Sequence, residues 1–213
     1  LYPDLNFIFF PHILKDICLN IKDLSCNAIV IVVTNPLDLM TYLALKILEV
    51  KPNKVFGMGI TLDTARFTNL ISKELNLSNT DIEACVIGSH GEGMLPLSRF
   101  TAIKGVGLEE FLTKDDIGRL VNKTLQRGQE IVSLLSSGSA YFAPSQAIAI
   151  IVKIIAKDQK CTVGVSAYLD GEYGAKDICI GVPCRLGKEG IEKIIELDLN
   201  SEEKSTFFNS IES

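Results

Sequence analysis

His90 is the residue whose type and surroundings most favour acid–base chemistry. It lies in the glycine-rich segment 88–93 (GSHGEG), directly after the apolar residues 85–87. An imidazole with an ordinary pKa of about 6.5 can exchange a proton at neutral pH, and the flanking glycines allow a ligand to approach closely. The alternative is a loop histidine without a catalytic role, because the sequence alone identifies no partner for it.

Asp63 and Arg66 form a second candidate pair. They lie three residues apart in a predicted helix, so their side chains share one face, with roughly 5 to 6 Å between Cβ atoms. The ordinary interpretation is a surface ion pair that contributes roughly 0.3 to 0.5 kcal/mol. The apolar neighbours Leu62, Ala65 and Phe67 instead favour a partly buried pair near a ligand.

Asn35 follows an apolar segment at a place where ligands bind in open α/β sheets. Residues 28–33 (AIVIVV) are apolar and mostly β-branched without alternation, which predicts a strand buried on both faces of a parallel sheet. Ligands of such sheets bind at the carboxyl ends of the strands. Asn-Pro is equally an ordinary turn signal, so Asn35 alone does not decide between a site and a turn.

The first part of the chain forms one α/β unit. Pro11 is a suitable first residue for a helix at 12–24, the strand at 28–33 follows, and residues 37–50 predict a helix closed by Pro52. A doubly wound sheet needs several such units. The chain also begins without Met, and we therefore expect an N-terminal portion of the sheet to be missing from this sequence.

The rest of the chain alternates helices with short strands. Two β-segments are predicted to form a hairpin, because the connecting residues 170–174 (DGEYG) include glycines that accept positive φ. A charged helix follows Asn200. The other predicted helices and strands are 61–74, 82–87, 97–103, 114–135, 142–157, 161–169 and 177–184.

The composition disfavours several classes of partner. A formal net charge of -5 and a pI near 5.1 argue against nucleic acid and anionic membrane surfaces, which require clustered Lys and Arg. No apolar run approaches the roughly 20 residues of a membrane span. The six cysteines form no CxxC pair and the chain has two histidines, so no metal site is predicted. We expect reduced thiols, a cytoplasmic location and a small-molecule ligand.

Taken together, these segments resemble motifs of the malate/lactate dehydrogenases in order and spacing, over about residues 13–190. The resemblance implies an α/β fold in which the last helix-strand-helix unit of a Rossmann-type parallel sheet precedes the α+β C-terminal catalytic domain of this family. It places a remnant of the NAD-binding domain at 1–55 and the substrate domain at 56–213. The segments that carry it are 32–38 (VVTNPLD), 62–67 (LDTARF), 88–92 (GSHGE), 94–97 (MLPL) and 138–144 (GSAYFAP).

By this resemblance, His90 is the family's proton donor and acceptor, and Asp63 is the aspartate that hydrogen-bonds it. Such a carboxylate fixes the imidazole tautomer and raises the pKa of the histidine. Arg66 matches the arginine that binds the substrate carboxylate, and a planar guanidinium suits bidentate contact with that group.

The resemblance supplies matches for the residues at the nicotinamide end of the cofactor and none for those that bind its phosphates. Asn35 matches the residue that contacts both cofactor and substrate, and Val33 and Thr34 match residues that line the nicotinamide site. NAD is the implied cofactor. The sequence contains no GxGxxG phosphate loop, and its first arginine is Arg66, whereas the family's mobile loop carries two arginines. We therefore expect the cofactor-binding half to be missing, and the choice between NAD and NADP stays open.

The implied reaction is the reversible NAD-dependent oxidation of a 2-hydroxy acid. The segment around Ala140 favours (S)-malate over lactate, and the resemblance implies a homo-oligomer. A lactate dehydrogenase stays open, as does a non-enzymatic remnant or interaction module of the same fold. In the last case the strand at 28–33 would expose two apolar edges and the isolated chain would self-associate. NAD-dependent glycosidases are disfavoured, because their metal-ligating Cys and His are not found.

Overall fold

The computed structural model describes residues 3–135 and 140–212. Within these residues the chain forms six α-helices and ten strands. The helices are α1 (Pro3–Leu24), α2 (Leu37–Leu48), α3 (Gly59–Leu75), α4 (Lys114–Leu134), α5 (Phe142–Ala156) and α6 (Ser201–Glu212). The strands are β1 (Val30–Val32), β2 (Val55–Gly57), β3 (Ile82–Glu83), β4 (Val86–Gly88), β5 (Met94–Pro96), β6 (Ala102–Ile103), β7 (Val106–Gly107), β8 (Cys161–Asp170), β9 (Lys176–Gly187) and β10 (Gly190–Ile194).

One mixed sheet runs through most of the described chain. Its seven strands have the order β1-β2-β8-β9-β4-β5, with β10 paired to β9, and a smaller sheet has the order β3-β6-β7. β1 and β2 are parallel, and the other pairs of the large sheet are antiparallel. β2 is the junction, because it pairs with β1 while its Gly57 faces Ser166 of β8. The large sheet therefore continues without interruption through residues 55 and 56.

Helix α3 lies between two apolar clusters. Leu62 packs into one cluster with β2, β4 and the β8–β9 hairpin, and Ile60, Phe67 and Ile71 pack into the other with α4. Each large side chain that is fully buried in this way contributes roughly 1.5 to 3 kcal/mol to stability. Because both sides of α3 are packed, Asp63 is buried as well, at 0% exposure.

The structure confirms the predicted α/β fold class and many of the predicted elements. The predicted hairpin is β8 and β9, and its loop contains Gly171 and Gly174 at φ values of 132° and 75°. α2 ends because Glu49 adopts a left-handed conformation that caps it, before Pro52 is reached. The strands β2, β5, β7 and β10 were not predicted. The predicted helices that correspond to α2, α3, α4 and α5 are those at 37–50, 61–74, 114–135 and 142–157.

The strand predicted at 28–33 is wrong in length and in burial. β1 contains three residues, and the side chain of Val33 after it is 42% exposed. The expectation of two open apolar edges is also wrong, because β2 pairs along one edge of β1. The other edge has no partner strand among the described residues. The apolar run therefore stays partly exposed on that side.

Two predicted strands are divided by the sheets. Residues 82–87 become β3 in the small sheet and β4 in the large sheet, and residues 97–103 become a short 3-10 helix followed by β6. The change of sheet occurs at Cys85, whose backbone N–H donates to the hydroxyl of Thr101 at 3.2 Å. Apolar character alone cannot locate such a change, because its immediate neighbours Ala84 and Val86 are both apolar.

Helix α1 begins at Pro3, so its predicted start after Pro11 is wrong and Pro11 lies inside the helix. The part of α1 after this proline packs on α2, with Cys18 almost completely buried in a shared apolar cluster. None of the helices within residues 3–135 and 140–212 combines the length and apolar character needed to cross a membrane.

Gly181→Ala is expected to lower the free energy of unfolding by about 1 to 3 kcal/mol through overpacking. A Cβ at this position of β9 would lie 2.0 Å from Cγ1 of Ile60 and 2.6 Å from the carbonyl oxygen of Gly88. Ile60 is fully buried in an apolar cluster with Phe67 and Ile71. Urea denaturation followed by circular dichroism measures the free energy of unfolding.

Gly118→Ala is the matched control for this prediction. Gly118 is exposed in α4, and an added Cβ would meet no atom within 4 Å. Replacing a helical glycine by alanine should raise the free energy of unfolding by roughly 0.5 to 1 kcal/mol. Equal denaturation midpoints for the two variants would contradict the close contact between β9 and α3.

Candidate active site

The buried carboxylate of Asp63 holds the imidazole of His90. Asp63 lies in the second turn of α3, and His90 lies in the loop between β4 and β5. Nδ1 of His90 is 2.6 Å from Oδ2 of Asp63. A carboxylate only accepts hydrogen bonds, so Nδ1 is the donor and Nε2 is the ring nitrogen left for a further partner.

Arg66 binds the same carboxylate. Its Nη1 donates to Oδ1 of Asp63 at 3.1 Å, and its side chain is 12% exposed, unlike that of an ordinary surface pair. Its Nε is buried without a hydrogen-bond partner among the described residues. Because a guanidinium carries five N–H donors, Arg66 retains donors for a bound acceptor. Asp63, Arg66 and His90 together form the Asp63 cluster.

The pKa of His90 is raised above its ordinary value of 6.5. Burial by itself lowers this pKa, because it disfavours the charged imidazolium, but the hydrogen bond and the negative charge of Asp63 raise it. The charge of Asp38 also raises it, and the charge of Arg66 lowers it. The imidazolium of His90 is therefore more stable than that of a histidine with an ordinary pKa.

Two glycines allow His90 to pack closely on α3. A Cβ on Gly59 would lie 2.5 Å from Cγ of His90 and 2.4 Å from Cδ2 of Leu37. Gly88 ends β4 with a φ of 90°, a conformation that favours glycine. The loop can therefore turn sharply after β4 and bring the imidazole against the first turn of α3.

Helix α4 approaches the cluster from another direction. Nε2 of Gln129 donates at 3.1 Å to Oε1 of Glu92, which lies on the same loop as His90. A Cβ on Gly128 would lie 3.4 Å from Nη1 of Arg66. α4 therefore contacts both the loop and the surroundings of the guanidinium, and the absence of a side chain at position 128 leaves room for Arg66.

The three residues matched to the nicotinamide site lie at the carboxyl end of β1. Val33, Thr34 and Asn35 are exposed there. The next element is α2, whose Asp38 accepts a hydrogen bond from the backbone N–H of His90 at 2.9 Å. The structure therefore brings this end of β1 and the Asp63 cluster together through the first turn of α2. The predicted role of each of these residues stays a prediction.

Asp38 is a residue to which the sequence analysis assigned no role. Its Oδ2 accepts from Ser89 Oγ at 3.0 Å as well as from the His90 N–H, and its Oδ1 accepts from Ser166 Oγ at 2.5 Å. An acidic residue in the first turn of a helix was the available signal, but it also fits ordinary stabilisation by the helix dipole. Ser166 gave no signal, because it is 128 residues away in the sequence.

The groups that could take part in chemistry at this site are carboxylates, a guanidinium and an imidazole. Within the described ranges, no group of three or more His, Cys, Asp or Glu residues is placed to hold a metal ion. The six cysteines are free thiols. Burial raises the pKa of Cys85 and of Cys179 to about 12, which makes these two thiols poor nucleophiles.

Two family models match the chain in succession. Residues 10–57 match the lactate/malate dehydrogenase NAD binding domain, and residues 60–213 match the lactate/malate dehydrogenase alpha/beta C-terminal domain. The chain belongs to the lactate/malate dehydrogenase family. The family indicated by the sequence motifs is therefore confirmed.

Relatives of this chain include bacterial and archaeal malate dehydrogenases. That of Halalkalibacterium halodurans is 48% identical over 201 residues, which cover 94% of this chain and 64% of the relative. That of Methanosarcina mazei is 48% identical over 187 residues, which cover 88% of this chain and 61% of the relative. This chain thus spans less than two thirds of the length of these curated relatives.

Solved structures of both malate and lactate dehydrogenases have the same fold. The crystal structure of malate dehydrogenase from Cryptosporidium parvum has a TM-score of 0.92 at 37% identity, covering 95% of this chain and 66% of that chain. Lactate dehydrogenase from Eimeria maxima, solved with NADH and oxamate, has a TM-score of 0.93 at 40% identity, covering 95% of this chain and 62% of that chain. The fold therefore does not distinguish the two activities.

Asp63→Asn is expected to lower the pKa of His90 relative to the wild type. The variant loses the negative charge that raises this pKa, whereas the burial that lowers it remains. The measurement is a pH titration of the Cε1–H resonance of His90 by NMR. His12, exposed on α1, is the other histidine of the chain and provides a second resonance for comparison.

Asp81→Asn is the matched control for this titration. Asp81 pairs with Lys104 at 3.1 Å, outside the Asp63 cluster, and its loss should leave the pKa of His90 unchanged. If Asp63→Asn also left this pKa unchanged, Asp63 would not be the group that raises it.

Proposed function

We propose that this chain carries the substrate-binding and proton-transfer residues of an NAD-dependent 2-hydroxy-acid dehydrogenase, with (S)-malate as its substrate. The observation that carries the proposal is the buried carboxylate of Asp63, which binds His90 at 2.6 Å and Arg66 at 3.1 Å. A proton-transfer group and a carboxylate-binding group are thereby held side by side. The relatives named malate dehydrogenase support the choice of substrate.

His90 acts as the general base in the proposed reaction. Because Asp63 occupies its Nδ1, its Nε2 takes the proton of the substrate hydroxyl while the C–H bond at the same carbon breaks. The carboxylate stabilises the imidazolium that forms, and the raised pKa of His90 supports this role. In the reverse direction the imidazolium returns the proton to the carbonyl oxygen of the 2-oxo acid.

Arg66 binds the substrate carboxylate in this proposal. Asp63 fixes the guanidinium through Nη1, and the unpartnered Nε shows that not every donor of Arg66 is used within the described residues. A planar guanidinium can present two N–H groups to one carboxylate, which lysine cannot do. The substrate would therefore be oriented with its hydroxyl carbon toward His90.

Val33, Thr34 and Asn35 fit the nicotinamide end of NAD. They are exposed at the carboxyl end of β1, which is parallel to β2, and ligands of parallel sheets bind at this edge. The amide of Asn35 offers both a donor and an acceptor. When bound, NAD supplies the acceptor for the hydride that leaves the hydroxyl carbon. The sequence contains no GxGxxG, so we assign the phosphate contacts to no residue of this chain.

We also propose that the cofactor-binding part is residues 1–55 and the substrate-binding part is residues 56–213. The two family models support this division, because one ends at residue 57 and the other begins at residue 60. β2 lies at the division and pairs with a strand of each part. The site is thus assembled where the two parts meet.

A homo-oligomer is part of the proposal. Ile13, Ile17 and Leu24 recur on one face of α1 and are 53%, 51% and 85% exposed. Exposed apolar rows of this kind mark association surfaces.

Sedimentation velocity is expected to show a species larger than the monomer, and Ile17→Glu should shift it toward the monomer. A wild-type protein that sediments as a monomer would contradict this part of the proposal.

An assay of NADH absorbance tests the activity, with the protein made from its complete reading frame. NADH should be consumed faster with oxaloacetate than with pyruvate. His90→Asn is expected to lower turnover by about 10² to 10⁴-fold, because it removes the proton-transfer group. His12→Asn, which replaces the exposed histidine of α1, should leave turnover unchanged.

Two outcomes would contradict parts of this proposal separately. Near-normal turnover in His90→Asn would remove His90 from the mechanism. Faster consumption of NADH with pyruvate would replace malate by lactate as the substrate and leave the site assignment intact.

A further inference from the structure

The carboxylate of Asp38 collects hydrogen bonds from two distant parts of the chain. Oδ2 accepts from the hydroxyl of Ser89 and from the backbone N–H of His90, at 3.0 Å and 2.9 Å. Oδ1 accepts from the hydroxyl of Ser166 on β8 at 2.5 Å. The first turn of α2 is thereby connected both to the loop between β4 and β5 and to the centre of the large sheet.

These contacts are not those of an ordinary acidic residue at the start of a helix. The N-cap of α2 is Pro36, which makes no side-chain capping hydrogen bond, and Asp38 does not supply one in its place. Both oxygens of Asp38 are instead bound by residues at least 51 positions away. The helix N-terminus favours the negative charge there, but the direction of the carboxylate is set by its distant donors.

The burial of Asp38 disfavours the charged form of its carboxylate. Burial raises its pKa, and the hydrogen bonds from Ser166, from the His90 N–H and from Ser89 lower it, so that burial has the larger effect. Ser166 is itself completely buried and depends on Asp38 as its acceptor. A partly buried carboxylate with three donors loses much of its stabilisation if one oxygen becomes an amide NH₂ group, because NH₂ cannot accept.

Asp38 and Asp63 hold His90 at two different atoms. Asp38 binds the backbone N–H from α2, and Asp63 binds Nδ1 of the ring from α3. The ring also packs against Gly59, where a Cβ would lie 2.5 Å from its Cγ. With its main chain and one ring nitrogen both held, the place of Nε2 is determined by the two helices together.

We propose that Asp38 is a positioning residue, which holds the backbone of His90 and so sets the place of the imidazole relative to Val33, Thr34 and Asn35. Asp38 lies in the first turn of α2, three residues after Asn35. One short segment therefore carries both the residues matched to the nicotinamide site and the carboxylate that binds the backbone of His90. This inference rests on the proposed function. Removing the anchor should misplace Nε2 while leaving the substrate-binding Arg66 in place.

Asp38→Asn tests the inference by activity and by NMR. We expect kcat to fall about 10 to 100-fold with little change in KM, because a displacement of about 1 Å at a reacting group can cost this much while carboxylate binding persists. The backbone amide of His90 should exchange its proton with solvent faster, and the pKa of His90 should fall, since the charge of Asp38 raises it. The lost charge by itself lowers this pKa, so kcat and the exchange of the His90 amide are the measurements that test the positioning role.

Thr41→Val is the matched control, one turn further along α2. Thr41 is fully buried, and its hydroxyl donates to the Leu37 carbonyl of its own helix at 2.8 Å. The variant loses one hydrogen bond of α2 without removing an acceptor of His90. It should be destabilised, yet retain the kcat, the amide protection and the His90 pKa of the wild type.

The outcomes separate this inference from the proposed function. A wild type without dehydrogenase activity would overturn both. An active wild type together with unchanged kcat and unchanged amide exchange in Asp38→Asn would overturn the positioning role alone, even if the pKa of His90 falls. If Asp38→Asn does not fold, Ser89→Ala removes one of the two donors at Oδ2, and it should give a smaller change of the same kind in kcat and amide exchange. No change in folded Ser89→Ala would then overturn the inference.

Discussion

The site depends on one buried carboxylate, that of Asp63. Placing a charge where no water reaches it costs several kcal/mol unless hydrogen bonds replace the water. Here the guanidinium of Arg66 and the imidazole of His90 provide those hydrogen bonds, one at each oxygen. Removing any member of this cluster leaves another without its partner, so a packing requirement and a proposed chemical requirement coincide in the same three residues.

The exposed ion pairs of the chain are of a different kind. Lys46 and Asp177 pair at 2.7 Å between α2 and the β8–β9 hairpin, and Tyr42 and Tyr168 both donate to the same carboxylate. These groups are open to solvent, where a pair contributes about 0 to 1 kcal/mol. The apolar packing of α2 and the contacts of Asp38 therefore fix the position of this helix more than the exposed groups around Asp177 do.

Glycines around the site allow neighbouring elements to pack closely against one another. Gly59 makes room for the ring of His90, and Gly181 lets β9 pass within contact of Ile60 and the carbonyl of Gly88. α3, β4 and β9 can therefore pack closely against one another. His90 is then held by this packing and by two carboxylates, which is the kind of support that a proton-transfer group needs.

By itself, the sequence determined the type and order of many elements, because apolar spacing, glycines and prolines act over a few residues. It also determined which residue types could do chemistry, and that Asp63 and Arg66 share a helix face. Only the tertiary structure decided that Asp63 is buried, because its burial requires two apolar clusters built from distant segments. Tertiary structure alone also decided the partners of Asp38 and the division of residues 82–87 between two sheets. In each case the deciding contact joins residues that no local pattern connects.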